Sequence, residues 1–289
     1  MIMKAINLYN QLEKDFVIPT ITENWYNYDG GMAINAEYIC DNFKQRSLGL
    51  LCDFAQEVNK VYTAVFPSDK VLEKILDDKA TDAMLFLHHP LDWDLSKNPE
   101  VAFYQINQKS LKRLKENRVS LFNFHYPLDN FNNYSTSKTL AEALGITFED
   151  TFGLFDGATC GVIGTTKCQT VQELNEKYSQ VVGHKTKLYQ YGKAEITNGR
   201  VGVCAGGGND VIAVQELINK GINVLITGIS LRNIYTEEAH KLEEEHGINL
   251  LGGTHYSSEK FACMAMCEYF KKLGLEAEFV ADVPCFEDL

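Results

Sequence analysis

A histidine and a glutamate four residues apart, in Thr254-His255-Tyr256-Ser257-Ser258-Glu259, put an imidazole and a carboxylate together at the mouth of a predicted helix. Two other short stretches carry donors of the same kind, Leu87-His88-His89-Pro90 and Phe124-His125-Tyr126-Pro127-Leu128-Asp129. His88, His89, Asp129, His255 and Glu259 form a nitrogen and oxygen set that suits zinc, iron or manganese better than a soft thiophilic ion. Five ligands are generous for one ion and fit two, with a carboxylate bridging and open positions left for water or substrate. Two ions about 3.5 to 4 Å apart polarise a carbonyl or phosphoryl oxygen and lower the pKa of a water towards about 7, so hydrolysis is the natural reaction class. His125, four residues before Asp129, is placed to act as acid/base or to orient a ligand through its second ring nitrogen. Each piece alone has a plainer reading: a polar strand end, a helix cap, a coincidence of spacing. Their recurrence after predicted strands is what points to metal.

The elements that must deliver these residues can be read from periodicity. Asp82 to Leu87 is a continuous apolar run, as expected for a strand buried on both faces, and it ends directly in His88-His89-Pro90. A second predicted strand, Val119 to Phe124, leads into His125 and Asp129; a third, Ile248 to Leu251, feeds His255, and a helix follows from Glu259 to Leu273 with Ser258 as its cap. The carboxyl edge of an open α/β sheet is where loops converge on ligands. Between these lie predicted helices over Ala5 to Asp15, Val71 to Leu76, Val101 to Asn117, Val171 to Ser179 and Val211 to Asn219, one capped by Ser135 or Thr136 and running to Leu144, and one capped by Thr236. Strands are expected over Leu48 to Ala55, Lys60 to Phe66, Ala158 to Thr165, Asn223 to Thr227 and Glu276 to Ala281, with a turn at Tyr28 to Gly31. Asn198-Gly199 predicts a hairpin joining Lys187 to Thr197 with Arg200 to Cys204. Gly206-Gly207-Gly208-Asn209-Asp210 reads as a tight turn rather than a phosphate cradle, because Val211 stands where the dinucleotide fingerprint needs glycine. His184, His240 and His246 lie in polar surroundings and are expected at the surface; Asp92 and Asp94 are candidate extra ligands, with decoration of an exposed loop the preferred reading.

This alternation predicts α/β layers in two related lobes. Residues 1–130 with 247–289 form the first, carrying the metal ligands, and 131–246 form the second, so the C-terminal segment must fold back to bring His255 and Glu259 to His88. At 289 residues, 45% hydrophobic and 23% charged, the composition is that of a soluble globular chain. A formal charge of −12 disfavours a nucleic-acid or anionic-membrane surface. No run reaches the roughly 18 apolar residues of a membrane span, and the start lacks a signal peptide's apolar block, which points to the cytoplasm. The eight cysteines contain no CxxC pair and read as reduced thiols, with Cys263 and Cys267 as core.

Taken in order, Asp82 to Pro90, His125 to Asp129, Ala205 to Asn209, Leu225-Ile226-Thr227-Gly228 and Gly253 to Glu259 resemble the NIF-three-like dinuclear metal-binding family, some members of which are labelled GTP cyclohydrolase I type two homologues. The resemblance runs from about Leu51 to Leu273. It implies a two-lobed α/β fold with the metal site between the lobes, a toroidal homohexamer with its sites facing the cavity, and two divalent ions per chain on His88, His89, Asp129, His255 and Glu259, with His125 as the nearby pocket histidine. The chain departs from the family at Trp25 to Met32, only loosely its Trp-Asp-Asn opening, and at Gly228 to Asn233, where an acidic residue and a histidine are usual; it has no room for the hundred-residue insert of some relatives. The leading expectation is a metal-dependent hydrolase in which a metal-activated water attacks a small, nucleotide-like substrate. The alternative is a non-enzymatic metal-handling scaffold or interaction protein.

Overall fold

The computed structural model describes residues 2–30, 32–98 and 100–289. The chain divides into two compact units, one of 1–128 with 263–283 and one of 129–262 with 284–289. This differs from the division drawn from the sequence: 129–130, 247–262 and 284–289 belong to the second unit. The break falls inside the short helix Tyr126–Asp129 and inside the long helix His255–Lys272, so no change of composition marks it.

The first unit is built on a five-stranded sheet in the order Glu276–Phe279, Lys60–Ala64, Ala83–Leu87, Val119–Asn123, Gly49–Cys52. The first four strands are parallel and the last is antiparallel. Every residue of Ala83–Leu87 and of Val119–Asn123 is buried, which is why the first reads as an unbroken apolar run; the second buries Ser120 and Asn123 among its apolar residues. Burying each large side chain there contributes about 1.5 to 3 kcal/mol, so one charged residue at Leu85 would cost the sheet its centre. Helix Asp69–Asp77 starts where Ser68 accepts from Val71 N–H and buries Val71, Leu72, Ile75 and Leu76 in this unit's core. Registers Ala64↔Leu87 and Leu87↔Asn123 bring the three carboxyl ends level.

The second unit holds a six-stranded sheet in the order Lys187–Tyr189, Asn249–Gly252, Val224–Thr227, Arg200–Cys204, Ala158–Thr165, Thr147–Phe155. The three strands after Lys187–Tyr189 are parallel, and Cys204↔Thr227 and Thr227↔Gly252 align their carboxyl ends. Its core gathers Leu140, Leu174, Tyr178, Val203, Ile226 and Leu251.

Two sequence expectations are corrected. The turn at Asn198-Gly199 is present, with φ of 54° and 66°, yet its flanking segments are no hairpin: Lys187–Tyr189 pairs with Asn249–Gly252, and Arg200–Cys204 pairs with Ala158–Thr165 and Val224–Thr227. Turn chemistry is local, whereas strand partners are chosen by burial. The helix expected from Val101 begins only at Gln108, capped by the Asn107 side chain, because Phe103–Tyr104 pairs with Asp92–Trp93. Thr147–Phe155 is a nine-residue edge strand that the sequence reading left unassigned. Trp25–Gly30 forms a 3-10 turn; Gly31, the end of the turn expected at Tyr28, lies outside the described residues. No disulfide joins any of the eight cysteines, and Cys263 and Cys267 are buried. Among the described residues no helix is long and apolar enough to cross a membrane.

Candidate metal centre

In the first unit His88 and His89 follow the strand Ala83–Leu87 directly, and His125 follows Val119–Asn123 by one residue. Phe124 N–H donates to Leu87 C=O at 3.0 Å, and the Asn123 amide donates to His88 C=O at 2.6 Å, so the two strand ends are locked side by side. His88 Nδ1 meets Phe124 C=O at 3.0 Å. A carbonyl only accepts, so Nδ1 carries the proton and the lone pair sits on Nε2, as a metal ligand requires. His89 is stacked on Phe66, ring centroids 4.8 Å apart, with Trp25 edge-on at 5.6 Å. One ligand atom from each of His88, His89 and His125 lies within 4.8 Å of the others.

His125 has a partner that sequence reading missed. Glu23 Oε2 lies 3.3 Å from His125 Nδ1 and accepts from Trp25 Nε1 at 2.6 Å, while Glu23 Oε1 accepts from Tyr126 N–H at 2.9 Å. The Glu23 side chain is 1% exposed. The one signal in the sequence was Trp25, since a buried indole N–H needs an acceptor and a carboxylate stands two residues away.

In the second unit Asp129, His255 and Glu259 come together. Glu259 Oε1 is 3.2 Å from His255 Nε2, and carboxylate oxygens of Asp129 and Glu259 lie within 4.8 Å of each other. Thr136 donates to Asp129 Oδ1 at 2.6 Å, fixing that carboxylate from the following helix. The helix begins at His255 and not at Glu259: Thr254 Oγ1 accepts from Ser257 N–H at 3.1 Å and is the cap. Ser258, expected to cap, lies inside the first turn, where its hydroxyl bonds His255 C=O at 2.9 Å and accepts from Gly206 N–H at 2.9 Å.

Gly206 explains the glycine run after Arg200–Cys204. Its φ is 66°, and a Cβ there would stand 2.1 Å from Glu259 Oε1 and 3.3 Å from His255 Nε2. The run is a tight turn pressed against the donors. Cys204, buried beside it, has its thiol pushed up by burial and by the charges of Asp129, Asp210 and Glu259. Imidazoles and carboxylates alone suit divalent ions of intermediate hardness, and the buried histidine and glutamate groups could hold such an ion. Asp92 and Asp94 are paired with Lys97 and belong to none of the donor groups among the described residues.

Two histidines expected at the surface are not there. His184 is half-buried, with Nε2 bonded to Ser257 Oγ at 2.7 Å. His240 is fully buried, Nδ1 bonded to Tyr191 Oη at 2.9 Å and 3.4 Å from Glu243 Oε2. Burial, reinforced by Glu244 and opposed by Arg232, pushes the Glu243 carboxyl from 4.5 up to about 9, and burial with Arg232 draws His240 down. Between pH 4.5 and 9 the folded chain therefore holds a proton that the unfolded chain has lost, and this group's contribution to stability falls as pH rises. Glu243→Gln removes that dependence: urea unfolding is expected to show it more stable than the parent by about 1 to 3 kcal/mol at pH 8, the gap closing towards pH 4.5. A difference independent of pH contradicts the assignment.

The family model for Duf34/NIF3 (NGG1p interacting factor 3) matches residues 36–285. A curated relative from Archaeoglobus fulgidus, named GTP cyclohydrolase 1 type 2 homolog, is 29% identical over 240 residues, covering 82% of this chain and 89% of the relative. The solved structure titled protein ybgI, unknown function, superposes with a TM-score of 0.75 at 21% identity, over 98% of this chain and 100% of that one. Reduced HcgD from Methanocaldococcus jannaschii gives 0.67 at 23% identity, over 98% and 99%. At these identities the structural likeness speaks for the fold alone.

Proposed function

The chain belongs to the Duf34/NIF3 family, and from that premise we propose that it is a hydrolase dependent on two divalent metal ions, acting on a small, nucleotide-like substrate. The observation that carries this reading is the burial of two donor sets, His88 and His89 in one unit and Asp129, His255 and Glu259 in the other, each at or beyond the carboxyl ends of parallel strands. Bound there, zinc, iron or manganese would polarise a substrate oxygen and acidify a water. The chain's own part follows from its geometry. Phe124 C=O holds His88 in the tautomer that presents Nε2. Glu23 stands 3.3 Å behind His125 Nδ1 and orients the ring so that Nε2 can take a proton and give it back. Trp25, Phe66 and Phe103 wall His89 from bulk water. The nucleotide-like substrate class is supported by the relatives' name. A six-membered ring working in the cytoplasm belongs to the same proposal and would be checked by light scattering.

Elemental analysis of freshly purified protein tests the centre, with about two ions per chain expected. Far fewer would sink the dinuclear reading. Two ions without turnover of any phosphoester, nucleotide or amide would replace the hydrolase with a metal-handling scaffold.

A further inference from the structure

We propose that Asp288 is a positioning residue for the metal donors on helix His255–Lys272, a clasp that sets where that helix begins. The inference rests on the metal reading above, and it concerns a residue outside every motif in the sequence. Asp288 is fully buried at the end of the 3-10 turn Phe286–Asp288. Its Oδ2 accepts from His255 N–H at 2.7 Å, so a carboxylate from a distant segment takes the first amide of the helix while Thr254 takes the third. Helix starts leave such amides without intrahelical acceptors and carry partial positive charge, so an anion at this place both satisfies and orients the first turn. The main chain of Asp288 works as well: its C=O accepts from Ser230 N–H and from Leu231 N–H, each at 2.8 Å.

These bonds close a circuit around the donors. Gly228 and Ile229 N–H donate to Gly206 C=O at 3.0 and 2.8 Å, and Gly206 N–H donates to Ser258 Oγ, which in turn bonds His255 C=O. From Asp288 the path runs through the loop Gly228 to Leu231 to Gly206, then through Ser258 to His255, and back to Asp288. His255 and Glu259 sit on the arc between its two anchors. Phe286, from the same turn, lies edge-on to His184 at 5.2 Å, and His184 bonds Ser257 one residue before Ser258. Loss of the carboxylate frees the first turn to shift, and a ligand displaced by a fraction of an ångström loses affinity as it does when any partner behind a ligand is removed.

The test compares Asp288→Ala with Asp288→Asn, using Co²⁺ alone as probe at a temperature where both variants are folded. Asp288→Ala is expected to bind Co²⁺ about tenfold more weakly, with an altered visible spectrum. Asp288→Asn, which keeps an acceptor oxygen in reach, should recover most of the affinity. A contact that only adds stability would lower the melting midpoint and leave affinity and spectrum of the folded protein unchanged, and that result overturns the proposal. If the parent protein takes up no Co²⁺ the metal reading fails, and the clasp is then judged by amide hydrogen exchange over 255–259. Protection lost in Asp288→Ala and kept in Asp288→Asn supports it; equal protection in parent and both variants overturns it.

Discussion

His88→Ala is expected to strip the purified protein of most of its metal and lower affinity by more than about a hundredfold, beyond the usual effect of losing a residue behind a ligand. The imidazole is fully buried and held by Phe124 C=O in the tautomer a metal needs. The variant should still fold: the strand end is also held by Phe124 N–H on Leu87 C=O and by Asn123 on His88 C=O, neither of which uses the His88 side chain. Elemental analysis and a zinc titration against a chelator give the readout, with a melting curve as control. Unchanged metal content in a folded variant would remove His88 from the ligand set.

Gly206→Ala carries the second large effect. An added methyl would stand 2.1 Å from Glu259 Oε1 at a backbone φ of 66°, and Glu259, almost wholly buried, has little room to retreat. Backbone strain of about 1 kcal/mol and steric displacement of about 1 to 3 kcal/mol add to an expected loss of 2 to 4 kcal/mol in urea unfolding, with metal affinity falling at least tenfold. Gly221→Ala separates the two contributions. Gly221 has nearly the same φ, 67°, with nothing within 4 Å of the added carbon, so it should cost about 1 kcal/mol and leave metal binding alone. Equal effects at both positions would mean that contact with Glu259 is unimportant.

What the sequence disclosed follows a physical line. His88, His89 and His125 were legible because they interrupt or end fully buried strands, where a polar residue needs a reason. His255 and Glu259 were legible through spacing, although the helix start was misplaced: Ser258 looks as good a cap as Thr254 until one sees that its hydroxyl is engaged with Gly206. Glu23 and Asp288 were not legible. Each acts across a long stretch of chain, on a partner that no local period or motif identifies. His240 and Glu243 were hidden for a related reason, since a helix rich in glutamate reads as solvated and only packing reveals which turn is covered. The false hairpin at Asn198-Gly199 shows the opposite error, a strong local signal overruled by the sheet.

The loop after Val224–Thr227 bears on what the protein can hold. Four successive amides, Gly228, Ile229, Ser230 and Leu231, all donate to Gly206 C=O or Asp288 C=O. A loop at the carboxyl end of a parallel strand is where α/β proteins commonly cradle a phosphate in backbone N–H groups. Here those donors are occupied, in a chain whose formal charge is −12. An anionic substrate would thus depend on the cations themselves for much of its attraction, and removing metal should abolish its binding as well as its turnover.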